Sequence, residues 1–239
     1  MSIINQCFEP FKNLHAGMSV AVMGCGPSID LYDGGKNLIH IGCNELIYSE
    51  KFKLDYFFIG DSQAGWRGKE KTFHTDPDTY KAYRPRIAKF VRDHPSADVS
   101  MLRANAGAPI DHSVHYDICD RVGTLPEIQK SRQMSFQTDI VNNYMYSRMS
   151  ITWEMLQFAL WTGPSKIYLM GQDCSYSKGT LHNPNHKAYG GVPRVPLIQR
   201  WQEFSEWVKS SYPETEVFII NPVAMKYFEE KSLDEIVEN

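Results

Sequence analysis

The chain has 239 residues, 42% of them hydrophobic, which is enough apolar material to fill the core of one large domain spanning 1–239. A formal net charge of -3 offers no basic field for a polyanion, which argues against a nucleic-acid partner, and no apolar run approaches the length of a membrane span. The first residues show no basic start, apolar stretch and cleavage site, and the five cysteines (Cys7, Cys25, Cys43, Cys119, Cys174) form no Cys-x-x-Cys pair, so a cytoplasmic chain with reduced thiols is expected.

The first apolar run, 18–24, reads as a buried strand and ends in Gly24-Cys25-Gly26-Pro27-Ser28. Glycines at that point let a ligand approach the backbone, proline suits the first turn of a helix, and amides at a helix start attract phosphate. The third glycine of the dinucleotide fingerprint is missing, and a plain strand-to-helix turn explains the same residues. A second strand, 38–43, leads into Asn44, and a third, 54–60, into Asp61. In an open parallel sheet these ends would face one crevice, where Asn44 could meet a base or ribose and Asp61 a sugar hydroxyl or a metal. Both residue types also cap turns routinely.

Segments 61–77, 103–134 and 172–195 are rich in Gly, Pro, Asn, Asp and His and read as long loops, which in a compact domain usually carry function. Trp66 in the first is placed to stack on a ligand, whereas the cluster Asp111 to Asp117 in the second lacks a frame that would fix metal geometry. A strand is expected at 98–102 and a helix over about 135–161, stopped by Gly163-Pro164. Next come a strand at 166–171 that aims Asp173 at the crevice, and the segment 172–195, read as a lid with Tyr176, His182 and His186. Pro184 keeps the two histidines from sharing a helical face, so they suit acid–base work better than metal binding. A helix at 196–211, with Leu197, Trp201, Phe204 and Val208 on one face, and a strand at 215–220 follow, and Ser232 with Glu235 opens a capped turn. Trp153, Trp161, Trp201 and Trp207 read as core or its rim. Alternating strands and helices predict an α/β fold, a doubly wound and mostly parallel sheet with helices on both faces.

In motif order the chain resembles the bacterial lipooligosaccharide sialyltransferases and the related MptE-like group, which includes flagellin-modifying glycosyltransferases and hydroxymethylpterin pyrophosphokinases. The residues that carry this are the strand ending Gly-x-Gly-Pro-Ser, Cys43-Asn44-Glu45, Arg148 to Thr152, Lys166 to Asp173 and Ile219 to Pro222. The resemblance implies a Rossmann-like domain and metal-independent transfer of a sugar, sialic acid or a related acid sugar, from a CMP or other nucleotide-activated donor to a glycan or protein acceptor. By position it lays Gly24, Cys25, Gly26, Pro27 and Ser28 along the nucleotide, Asn44 against it, and Ser150 and Thr152 near the phosphate or sugar. Tyr176 would stabilise the leaving phosphate and a lid histidine, His182 or His186, would take the acceptor proton.

Two departures stand out: Cys25 where the family usually has asparagine, and Gly190 to Arg194 where it places the base. No resident cofactor is expected. The pyrophosphokinase alternative would use Mg²⁺ and ATP, with Asp61 and Asp173 on the metal. A methyltransferase would use Glu45 on a ribose, and a non-catalytic nucleotide-binding module would keep the turn alone. Self-association and peripheral membrane contact are both compatible with the composition.

Overall fold

The computed structural model describes residues 6–43, 46, 49, 51, 54–59, 101–103, 135–143, 145–146, 150–174, 195–222 and 225–239. Seven strands lie in one sheet: β1 (Ser19–Met23), β2 (Ile39–Cys43), β3 (Tyr56–Ile59), β4 (Met101–Arg103), β5 (Lys166–Met170), β6 (Glu216–Ile220) and β7 (Glu229–Lys231). Their order is β4-β3-β2-β1-β5-β6-β7, and all six pairings are parallel. The chain winds outward from β1 in one direction as far as β4, then returns to the other side of β1 with β5. This is the doubly wound α/β arrangement the sequence predicts, with its switch point between β1 and β5.

β1 is buried at all five positions and β5 at four, as continuous apolar strands covered on both faces must be. α1 (Thr152–Trp161) and α2 (Val195–Ser211) share one core with Val20, Val22, Ile167 and Leu169 on one face, and the other carries the 3-10 turn Pro27–Leu31, after which Tyr32 hydrogen-bonds His40 of β2, and the C-terminal turn Leu233–Glu235. Tyr168 and Phe218 stack on that second face with ring centroids 5.5 Å apart, and the backbone amide of Val237 donates to the Tyr168 hydroxyl.

Every residue of α1 is buried, because it is enclosed on more than one side. Phe158 packs on Phe8 and Phe11 from the N-terminal 3-10 turn and on Tyr56 and Phe58 from β3. Trp153 packs on Phe136, Tyr146, Trp201 and Phe204. The tryptophans Trp153, Trp161 and Trp201 are core residues and Trp207 packs partly buried at the rim, as expected.

Three expectations need revision. The helix predicted over 135–161 is α1 alone among the described residues, because polar side chains hold the preceding segment in turns. Asp139 Oδ1 accepts from the amides of Val141 and Asn142, and Gln157 of α1 accepts from the amides of Gln137 and Tyr146. The helix expected after the glycine turn is only the five-residue 3-10 turn Pro27–Leu31. Finally, β7 was not anticipated: Glu229-Glu230-Lys231 has no apolar alternation, and it pairs at the sheet edge where charge is tolerated. The Ser232–Glu235 capping box forms as the sequence suggests.

Candidate functional site

The carboxyl ends of β1 and β5 flank the switch point, and their two loops are interlocked. The amide of Gly24 donates to the Met170 carbonyl at 2.8 Å, and that of Gly26 to the Gly171 carbonyl at 2.9 Å. The Ser28 amide donates to Asp173 Oδ2 at 2.7 Å, and the Gly171 amide donates to Ser28 Oγ at 3.2 Å. The ladder between β1 and β5 therefore runs on past both strands.

Glycine is required on both sides of this contact. A Cβ on Gly24 would lie 2.6 Å from the Gly171 oxygen and 2.7 Å from Gln172 Nε2, and one on Gly26 would lie 2.5 Å from the Gly171 oxygen and against Asp173 Oδ2. Gly171 itself holds φ +65°, and Cys174 holds φ 55°, a left-handed conformation that costs a residue with a side chain. The loop Gly171–Cys174 is thus held at both ends in a bent form that turns Gln172 and Asp173 onto the glycine turn.

A second set of side chains joins from the start of α1. Ser150 Oγ donates to Thr152 Oγ1 at 2.9 Å, and Thr152 Oγ1 donates in turn to Gln172 Oε1 at 2.9 Å. The Thr152 amide donates to Ser150 Oγ at 3.2 Å. Thr152, Gln172 and Asp173 are all buried. The predicted residues Gly24, Gly26, Ser28, Ser150, Thr152 and Asp173 are therefore tied into one constellation, with Cys25 and Pro27 inside the same turn. Gln172, which the sequence reading passed over, is the link between its two halves.

Burial sets the electrostatics. The Cys174 thiol is pushed up to about 12, mainly by burial, with the Asp173 charge adding to the rise and a hydrogen bond with Trp201 opposing it. It stays protonated and is no nucleophile at neutral pH. Glu154, in the first turn of α1, is pushed up to about 8 by burial, so it adds no negative charge near neutrality. Cys25 Sγ points at the Cys43 carbonyl, 3.4 Å away, across the ends of β1 and β2. Cys43 and Cys174 are free and buried, and Cys25 is half-buried.

Asn44, Asp61, Tyr176, His182 and His186 lie outside the described residues, as do Glu45, Trp66 and the Asp111–Asp117 cluster. Cys43, the residue before Asn44, ends β2 directly beside β1. No helix among the described residues is long and apolar enough to cross a membrane.

No protein-family model matches the sequence, and no curated protein does. Among solved structures, the Maf glycosyltransferase from Magnetospirillum magneticum AMB-1 is similar at 13% identity with a TM-score of 0.51, covering 99% of this chain and 39% of the other. The chain thus spans about two fifths of that protein's length, and the likeness is one of fold. The Campylobacter jejuni sialyltransferase CstII in complex with cytidine-5'-monophosphate aligns at 15% identity over 85% of this chain and 80% of the other, with a TM-score of 0.48. The monofunctional α-2,3-sialyltransferase Cst-I from the same organism gives 14% identity, 85% and 75% coverage and a TM-score of 0.43.

Proposed function

We propose that the chain is a glycosyltransferase that moves a sugar, sialic acid or a related acid sugar, from a CMP-activated donor to a hydroxyl of a glycan or protein acceptor. The observation that carries this is the convergence at the switch point: Gly24 to Ser28, Gln172 with Asp173, and Ser150 with Thr152 meet where a doubly wound sheet binds its ligand. The motif resemblance supplies the donor class, and the fold shared with a glycosyltransferase supports it.

In this reading the acceptor oxygen attacks the anomeric carbon, the bond from that carbon to the phosphate oxygen breaks, and CMP leaves with the bonding pair. The anomeric centre becomes cation-like, so the pocket must stabilise the growing charge on the phosphate with donors and remove one proton from the acceptor. Tyr176 is assigned the first task, and His182 or His186 the second. Asn44 and Asp61 hold the nucleoside. Asp173 serves as a positioning residue, since Oδ2 accepts from the Ser28 amide.

A thermal-shift panel of CMP, CDP, UDP, ATP and S-adenosylmethionine, each with and without Mg²⁺, tests the proposal. CMP without metal is expected to stabilise the protein by about 2.7 kcal/mol at a hundredfold excess over Kd, an upward shift in Tm of roughly 5–10 °C. Stabilisation by Mg-ATP alone would discard the glycosyltransferase in favour of the kinase, and by S-adenosylmethionine alone in favour of the methyltransferase.

A further inference from the structure

We propose that the side-chain amide of Gln172 is the hydrogen-bond donor that receives a phosphoryl oxygen of the bound nucleotide. The inference rests on the nucleotide reading above and adds a binding residue that the motifs alone do not assign.

Four observations carry it. Gln172 is 8% exposed, yet Nε2 has no hydrogen-bond partner among the described residues. A buried amide that spends neither of its donors in the protein is uncommon and calls for a partner from outside. Second, its direction is set. Oε1 accepts from Thr152 Oγ1, which accepts from Ser150 Oγ, and this leaves Nε2 as the end of the amide that faces the glycine turn. Third, Nε2 lies over the glycine turn, 2.7 Å from where a Gly24 Cβ would stand, so a side chain at 24 would exclude it. Fourth, the loop holds Gly171 and Cys174 at positive φ on either side, a strained bend that aims the amide at this place.

The chemistry favours a phosphoryl oxygen. Nε2 can only donate, and a phosphoryl oxygen is the strong acceptor that a nucleotide brings to a glycine turn. As the sugar departs, the phosphate gains charge and the same hydrogen bond strengthens, while Gln172 keeps both of its protons.

Titration calorimetry with CMP and with cytidine, on wild type, Gln172→Glu and Gln172→Met, tests the assignment. Gln172→Glu keeps the acceptor used by Thr152 and so preserves the fold if Gln172→Met does not. Both variants are expected to lose about ten- to hundredfold in CMP affinity, the worth of one hydrogen bond to a charged group, with cytidine affinity unchanged. CMP binding as tight in the variants as in wild type overturns the inference and leaves the function standing. Equal losses for CMP and cytidine also overturn it, since the residue would then shape the pocket without touching phosphate. Wild-type protein that binds no nucleotide removes the function and this assignment together.

Discussion

At Gly26 an added methyl would press on the Gly171 carbonyl and on the Asp173 carboxylate, and neither can retreat without giving up a hydrogen bond that joins β1 to β5. Gly26→Ala is therefore expected to destabilise the protein by about 1–3 kcal/mol, as overpacking does, and to weaken CMP binding in the same variant. Thermal melts with and without CMP check this, and an unchanged Tm would show that the two loops are free to separate. The glycines themselves were legible, because two of them after an apolar strand signal a close approach. What they approach was legible only in part: Asp173 was expected at the same crevice, but the contact with Gly171 was not, and the residue that links this loop to Thr152 is a glutamine, a type with no motif of its own. The only hint was its place between Gly171 and Asp173 at the end of a strand.

Among elements, α1 shows how far periodicity reaches. The amphipathic helix at 196–211 has a single apolar face and is found as α2, whereas α1 is buried all round, so its pattern gave no clear start and merged with the turns before it. Burial on every side has a price at Glu154, whose carboxyl is held protonated up to about pH 8 against an ordinary value of 4.5. The folded state then carries one more proton than the unfolded chain between those limits, so stability falls as pH rises from 4.5 to 8 and levels off above. Glu154→Gln should remove this slope. Its stability, read from melts alongside wild type across that range, should gain steadily on the alkaline side, by roughly a few kcal/mol at pH 8.5. Parallel curves would mean that Glu154 is ionised in the folded protein.

For the molecule as a whole, six of the strands in the sheet were legible, since each is a short apolar run bounded by turns, whereas their order β4-β3-β2-β1-β5-β6-β7 comes from the structure. The edge strand β7 escaped because charged residues suit an edge. The C-terminal turn ties back to the sheet: Ile236 is buried, the Val237 amide donates to Tyr168, the Asn239 amide donates to the Asn37 carbonyl, and Asn239 Nδ2 donates to the Ser19 carbonyl. Removing residues 232–239 should cost roughly 2–4 kcal/mol, from one buried isoleucine and several hydrogen bonds. In urea this would appear as a lower midpoint with a similar slope, and an unaltered midpoint would show that the tail contributes nothing.

β1 is fastened at its entry by Asn239 and at its exit by the backbone of β5's loop. A strand secured at either end has little freedom left to lose. Whatever settles on its tip finds both loops already in position, so the entropy of arranging them was spent when the protein folded and is not charged again at each encounter.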